Sequence, residues 1–152
     1  ATGGMSLTTS RGGAALADAD HSIGGIWASL NYDDAEAGIR FMTEVLGFES
    51  VLEVPDEGDG KIAHSQLRWP EGGIVQASST DRPGNVFSQR PSGTGSLYVI
   101  TADPHSVYQR CIEAGVEILA EPETPAYDPE GMVFSILDPE NNIWSFGTYA
   151  GE

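Results

Sequence analysis

Basic residues are scarce in this chain, and their scarcity excludes one class of partner. Seven Lys and Arg stand against 23 Asp and Glu in 152 residues, which gives a formal net charge of −16. A field of this sign repels phosphate backbones, so we predict no nucleic-acid partner. It would attract cationic small molecules or cationic surfaces, although an acidic composition also serves solubility alone.

Cysteine and long apolar runs are also scarce. The single cysteine, Cys111, cannot form a disulfide within the chain. This fits a reducing compartment, and we therefore predict a cytoplasmic location. The apolar run at 97–100 is typical of the longest, far below the roughly 20 residues that a membrane span needs. We predict no membrane partner.

The first 22 residues lack the apolar segment of a secretory signal and are rich in Gly, Ala and Thr. We expect residues 1–22 to be a disordered leader or tag, with Met5 as the natural start. Residues 23–149 are of the right length for a single domain with its own hydrophobic core.

The predicted elements of this domain occur in the same order twice. Module one spans about residues 24–79, module two spans about 96–149, and a turn-rich linker over 80–95 joins them. Each module reads as strand, helix and three strands, with Asp34 or Asp103 as the helix N-cap and Gly47 or Gly115 at the helix end. The predicted strands are 26–32, 48–54, 62–69 and 74–78, then 96–101, 116–120, 132–137 and 143–149.

The two copies are related by a nearly constant offset. The run GFE at 47–49 returns as GVE at 115–117, an offset of 68 residues, and we extend this offset to the last two strands of each module. The capping residues Asp34 and Asp103 differ by 69, which we attribute to a one-residue slip within the helix. Two copies of so long a unit predict a pseudo-twofold pair of modules rather than a solenoid.

Two segments resemble a known superfamily. The run YDDAEAGIRF at 32–41, followed by VLGFE at 45–49, resembles the opening helix of the vicinal oxygen chelate superfamily, which includes glyoxalase I, extradiol dioxygenases and bleomycin resistance proteins. The run DPENNIWSFGTY at 138–149 resembles its closing hairpin. The resemblance implies an α/β (α+β) fold, in which tandem βαβββ modules form a cupped eight-stranded mixed sheet with the helices on the convex face. It also implies a homodimer with pockets completed across the interface.

Metal-dependent members of this superfamily hold a divalent ion with His or Gln in the first strand of each module and Glu in the last. The corresponding positions here are Trp27, Ser96, Ser145 and Ala77, with Gln76 beside the last. Trp and Ala cannot ligate, and a neutral Ser is a poor ligand for a divalent ion. We therefore predict no metal and no other cofactor.

Strand alternation predicts which side chains line the cup. Aromatic side chains would form flat walls and small polar side chains would form handles, as in a small-molecule pocket. The alternative for the aromatic side chains is simple core filling. The predicted ligand-binding residues are Trp27, Ser29, His64, Gln66, Ser96, Tyr98, Phe134, Ser145 and Tyr149.

These observations favour a metal-independent binding protein, closest to the bleomycin-resistance-like branch, that sequesters an antibiotic or another aromatic or cationic metabolite. No established nucleophile or acid–base motif is present, so we interpret the chain as a binding protein rather than an enzyme. The alternative is a glyoxalase-like lyase or isomerase that uses His64 as general base, or a divalent metal. A structural role for His64, and a regulatory or scaffold role in which the cup is packed shut, are further alternatives.

Overall fold

The computed structural model describes residues 24–152, and the leader predicted over 1–22 lies outside the described residues. The predicted order of strand, helix and three strands is present twice. No helix among the described residues is long and apolar enough to cross a membrane. Module one contains β1 (Ala28–Tyr32), α1 (Ala35–Arg40), a π-helical segment (Phe41–Leu46), β2 (Glu49–Pro55), β3 (Ile62–Arg68) and β4 (Ile74–Ser79). A short 3₁₀ helix (Phe87–Gln89) lies in the linker, and module two contains β5 (Ser96–Ile100), α2 (Pro104–Glu113), β6 (Glu117–Glu123), β7 (Val133–Leu137) and β8 (Ile143–Gly147).

The strands form two four-stranded mixed sheets, which confirms the α+β class and the tandem βαβββ modules. Their strand orders are β1-β4-β3-β2 and β5-β8-β7-β6. In each sheet the first strand pairs parallel to the last, and the remaining pairs are antiparallel. Within the described chain the eight strands are thus divided equally between two sheets.

Both helices begin at the predicted aspartate caps. Asp34 Oδ1 accepts a hydrogen bond from the backbone N–H of Ala37 (3.1 Å), and Asp103 Oδ1 accepts one from Ser106 (3.1 Å). These carboxylates satisfy N–H groups that have no partner within the helix, which is why the aspartates predicted the helix starts correctly. The first helix ends at Gly47, whose φ of 96° is accessible to glycine at little cost.

One hydrophobic core lies between the two modules. Phe48 of module one packs edge-on against Trp144 of module two, with ring centroids 5.6 Å apart, and Trp69 lies 5.9 Å from Phe146. Polar contacts cross the same boundary, since Arg110 on α2 donates from Nε to the carbonyl oxygen of Val45 (2.9 Å). Each sheet therefore packs one face into a shared core and turns its other face outward; we call these the outer faces.

The pseudo-twofold relation extends to a pair of glutamates that cap the opposite module. Glu140, in the β7–β8 turn, accepts from the backbone N–H groups of Asp33 (2.7 Å) and Asp34 (2.9 Å). Glu71, in the β3–β4 turn, accepts from the Thr101 hydroxyl (2.6 Å) and from the N–H of Ala102 (2.8 Å). Each hairpin turn thus provides hydrogen-bond acceptors for donor groups just before the helix of the other module.

Asp138 is the most heavily hydrogen-bonded side chain of this boundary. Its Oδ2 accepts from the Tyr32 hydroxyl (2.7 Å), the Asn142 amide (3.0 Å) and the Trp144 indole N–H (3.1 Å). Its Oδ1 accepts from the backbone N–H groups of Glu140 (2.9 Å) and Asn142 (3.0 Å). Burial, together with the charge of Asp138, raises the pKa of Tyr32 well above its ordinary value, so Tyr32 remains a neutral donor.

The prediction that Phe134 lines the cup is wrong. Phe134 is 1% exposed, stacks on Phe146 and packs against Tyr108 in the core. The error comes from the offset, because equivalent hairpin bonds join Trp69 to Gly73 and Asp138 to Asn142, which are 69 residues apart rather than 68. A π-helical segment adds one residue to the helix of module one alone, which reduces the offset between the helix-ending glycines to 68. The offset of the glycines therefore does not apply to the strands that follow.

Candidate ligand-binding cleft

A cleft of about 560 Å³ lies on the outer face of module one. Its volume falls within the range of roughly 300–1,000 Å³ that is typical of small-molecule sites. The sheet and the linker provide opposite sides of the cleft. The sheet contributes Ser29, Asn31, Ala63, His64, Gln76 and Ser78, and the linker contributes Arg82, Asn85, Phe87, Arg90, Pro91, Thr94 and Gly95.

Side chains of the sheet hold the linker in place. The Asn31 amide donates to the carbonyl oxygens of Phe87 (2.6 Å) and Arg90 (3.0 Å), although these residues lie 56 and 59 positions away in sequence. Lys61 Nζ donates to the carbonyl oxygen of Asp81 (2.9 Å). The linker was predicted as a turn-rich connection, and these bonds make it a fixed wall of the cleft.

His64 and Gln66 lie next to each other on the outward face of β3, as strand alternation predicted. The buried residues Ser65 and Leu67, both 0% exposed, point to the opposite side. The Gln66 amide nitrogen lies 3.1 Å from His64 Nε2, and an amide nitrogen can only donate. His64 Nε2 therefore accepts, and its ring proton lies on Nδ1.

Two arginines of the linker give the cleft a local charge opposite to that of the whole chain. Arg82 is buried, at 8% exposure, and its Nε donates to the carbonyl oxygen of Ser79 (3.2 Å). Arg90 is exposed at the cleft surface. In residues 24–152 the one salt bridge joins Arg68 to Glu49, and no Asp or Glu lines the cleft. Neither linker guanidinium is thus neutralised by a carboxylate of the described chain.

The remaining predicted site residues do not line this cleft. Tyr98, Ser145 and Tyr149 lie in or next to the module-two sheet, where the Tyr98 hydroxyl donates to the carbonyl oxygen of Tyr149 (2.8 Å). The Ser145 hydroxyl pairs with that of Ser135 (2.7 Å). Ser96 is exposed at the start of β5, and Trp27, 39% exposed, precedes β1. Of the nine predicted residues, Ser29 and His64 line the cleft, Gln66 adjoins it, and Phe134 is in the core.

The donor set does not fit a divalent metal. The β1–β4 and β5–β8 registers make Gln76, not Ala77, the counterpart of Ser145, so the four positions hold Trp27, Gln76, Ser96 and Ser145. The Gln76 amide oxygen already accepts from the Ser29 hydroxyl (2.7 Å). Among residues 24–152, no three His, Cys, Asp or Glu side chains are grouped so that they could hold a metal ion. A catalytic metal site needs about three such protein ligands.

The sequence analysis missed the linker residues Arg82, Asn85, Phe87 and Arg90, which form one side of the cleft. A local signal was present. Residues 80–95 contain two Arg and a single acidic residue, Asp81, in a chain where acidic residues outnumber basic ones by 23 to seven. Such a local reversal of charge indicates a functional surface more directly than the net charge does.

Comparisons with known proteins agree with this fold. Residues 24–146 match the Glyoxalase/Bleomycin resistance protein/Dioxygenase superfamily. TioX from Micromonospora sp. ML1 is 23% identical with a TM-score of 0.68, over 83% of this chain and 100% of that one. TnmS3, an antibiotic binding protein from Streptomyces sp. CB03234, is 23% identical with a TM-score of 0.57, over 78% and 88% of the two chains. The fosfomycin resistance protein FosX from Listeria monocytogenes, complexed with Mn(II) and sulfate, is 14% identical with a TM-score of 0.55, over 84% and 94%.

At these identities the structural likeness shows the fold alone. The comparison with curated proteins gives no match. The match over residues 24–146, together with the two βαβββ modules, places the chain in a family. This protein belongs to the Glyoxalase/Bleomycin resistance protein/Dioxygenase superfamily.

Proposed function

We propose that this protein binds an aromatic small molecule in the module-one cleft without a metal ion, and sequesters it. The observation that carries the proposal is the cleft of about 560 Å³, which combines a wall containing Phe87 with fixed polar groups from the sheet. The exposed ring of Phe87, together with a few oriented polar groups, suits stacking of a flat ligand. Antibiotics and related metabolites are the candidate ligands.

The family context supports binding of a small molecule. One structural neighbour, TnmS3, is an antibiotic binding protein, and another, FosX, is a fosfomycin resistance protein. Metal independence is supported by the chemistry of the four positions at which metal-dependent members carry ligands. Here those positions hold an indole, two hydroxyls and an amide that is already hydrogen-bonded.

Binding is favoured over catalysis by the surroundings of His64. A general base needs a free lone pair and, in most sites, a partner that orients the ring. Here the Nε2 lone pair is occupied by the Gln66 amide, and no Asp or Glu lines the cleft of the described chain. His64 is therefore suited to donate a hydrogen bond to a ligand through Nδ1–H.

We also propose a homodimer in which a second copy covers the outer face. Apolar side chains are exposed on three outer strands, namely Val51, Leu52 and Val54 on β2, Ile100 on β5 and Leu119 on β6, each 39–50% exposed. The strands β2 and β6 are edges of their sheets, and exposed apolar edges favour pairing with another chain. In such a dimer the module-two residues Tyr98, Ser145 and Tyr149 of one copy would face the cleft of the other.

A cytoplasmic location accompanies this proposal. The one cysteine, Cys111, is a buried free thiol, and burial raises its pKa to about 11, so it serves as a packing residue rather than a redox group.

A thermal-shift screen of aromatic antibiotics, run in EDTA and again with Zn²⁺ or Mn²⁺, tests the proposal. A ligand present at about 100 times its Kd stabilises the native state by about 2.7 kcal/mol, or roughly 5–10 °C in Tm for a chain of this size. We expect hits in EDTA that Ser29→Trp, which fills the cleft, abolishes. Gln109→Trp, exposed on α2, is the matched control and should preserve them. Stabilisation that requires added metal would contradict the proposal.

A further inference from the structure

We infer that the ligand of the module-one cleft carries an oxyanion, such as a carboxylate, sulfonate or phosphate, which Arg82 and Arg90 bind. This inference rests on the proposed function, because it concerns the same cleft and specifies the chemistry of its ligand. It reverses the expectation from net charge, which favoured a cationic ligand.

The environment of the Arg82 side chain is the main support for this inference. A guanidinium that is largely removed from solvent and has no carboxylate beside it is stabilised by an anion in direct contact. Arg82 is 8% exposed, and its one side-chain bond in residues 24–152 runs from Nε to the carbonyl oxygen of Ser79. Its two Nη atoms have no acceptor in the described chain and keep access to solvent, since no fully buried side-chain nitrogen of residues 24–152 lacks a partner. Arg82 also lines the cleft. A guanidinium placed in this way is ready to bind an oxyanion through two parallel hydrogen bonds.

Neutral donors surround the same space. The Gln76 amide oxygen is taken by Ser29, which leaves the Gln76 NH₂ group as a donor. The Asn85 amide oxygen likewise accepts from the backbone N–H of Ser88 (3.1 Å), which leaves the Asn85 NH₂ group as a donor. Both residues line the cleft with His64 and the two arginines. No Asp or Glu of the described chain lines the cleft, so these donors are available to the oxygen atoms of an oxyanion.

Hydrogen bonds hold the linker backbone at both arginines before a ligand arrives. The Ser88 hydroxyl accepts from the backbone N–H of Arg82 (2.9 Å) and lies 3.0 Å from the Arg82 carbonyl oxygen, to which it donates. The Asn31 amide donates to the carbonyl oxygen of Arg90 (3.0 Å). A wall fixed in this way loses little entropy on binding.

The acidic surface does not cancel this local preference. Ions screen solvent-exposed charges that lie more than about 8 Å away at physiological ionic strength. A guanidinium in direct contact with the ligand is screened far less. The net charge of −16 therefore affects the rate of encounter, whereas the two arginines set the affinity once the ligand is inside the cleft.

Three naphthalene probes of nearly equal size test the inference on the full chain. These are 2-naphthoate, 2-naphthamide and 2-naphthylmethylammonium, titrated at constant ionic strength in EDTA and followed by ¹H–¹⁵N correlation spectra that include the arginine Nε–H signals. We expect 2-naphthoate to bind about tenfold more tightly than 2-naphthamide, with the ammonium probe weakest. The Arg82 Nε–H signal should shift with 2-naphthoate and stay in place with the amide.

Two variants and one control locate the effect. Arg82→Met and Arg90→Gln should each reduce the preference for the carboxylate over the amide, and Arg90 is exposed, so its variant remains informative if Arg82→Met does not fold. Arg40→Gln makes the same change in net charge on α1 and should leave the preference unchanged. Equal binding of acid and amide, insensitive to the cleft arginines, would overturn the inference while leaving aromatic binding intact. Absence of binding by all three probes up to millimolar concentration would contradict both.

Discussion

The two outer faces of this protein differ far more than the two modules that carry them. Module one presents a cleft that the linker walls, with two arginines that pair with no carboxylate of residues 24–152. Module two presents tyrosines, with Tyr127 and Tyr149 packed edge-on at 5.1 Å and Tyr98 bonded to the Tyr149 backbone. Its one Lys or Arg, Arg110, lies on α2 and serves the shared core. A duplicated scaffold can therefore keep its hydrogen-bonded frame and differ in the surfaces that meet a ligand.

The first prediction separates the two faces of the module-two sheet. Phe134→Ala should lower the free energy of unfolding by about 3–5 kcal/mol, because it leaves a cavity beside Phe146 and Tyr108. Tyr98→Ala, on the outer face and 45% exposed, should cost less than about 1.5 kcal/mol. Urea denaturation of both variants measures the difference. Similar losses at the two positions would mean that the sheet is not divided into a core face and an outer face.

The second prediction concerns the carboxylate that joins the modules. Asp138→Ala should cost about 3 kcal/mol, since it leaves the buried Tyr32 hydroxyl and Trp144 indole N–H without an acceptor. Pro139→Ala, next to it and exposed, is the control and should cost less than about 1 kcal/mol, the effect of removing a turn proline. If Asp138→Ala lost no more than its neighbour, the hydrogen bonds of Asp138 would not hold the module boundary.

The third prediction tests the pseudo-twofold symmetry directly. Glu71→Ala and Glu140→Ala should each cost about 1 kcal/mol, because each removes a carboxylate that accepts two hydrogen bonds from the other module. Glu113→Ala on α2, with no such bonds in the described chain, provides the baseline. Markedly unequal losses for Glu71→Ala and Glu140→Ala would show that the two turns are alike in geometry but differ in their contribution to stability.

The fourth prediction concerns the dependence of stability on alkaline pH. Burial raises the pKa of the Cys111 thiol to about 11 from its ordinary value near 9. Between these values the unfolded chain loses the proton and the folded chain keeps it, so this contribution is complete below pH 9 and is lost as pH rises toward 11. Denaturation midpoints from pH 8 to 11 should therefore fall less steeply in Cys111→Ala than in the parent chain. Parallel profiles would place Cys111 in a more solvated position.

Local sequence patterns were sufficient to predict the helix starts and the outward faces of some strands. Asp34 and Asp103 were recognised as caps because capping depends on a carboxylate and the first helical turn, and both lie within a few residues of each other. Alternation separated His64 and Gln66 from buried Ser65 and Leu67 because side chains alternate along any strand.

Two features depended on information that local patterns do not contain. Phe134 was misplaced because a single inserted residue in the π-helical segment changes the offset between modules, and a one-residue error reverses the face of a strand. Arg82 and Arg90 were missed because the linker is held by Asn31, a contact that spans more than 50 residues and leaves no periodic trace. Tertiary contacts of this kind decide which side of a loop meets a ligand.

The central claim is that the module-one cleft binds its ligand without a metal ion. The most direct test is to titrate the strongest hit of the antibiotic screen into ¹⁵N-labelled protein in EDTA and map the amide shifts. We expect shifts concentrated at Ser29, His64, Gln76 and the linker from Arg82 to Arg90, where the cleft lies. Shifts confined to β6 and α2, or shifts that appear after a divalent ion is added and not before, would contradict it.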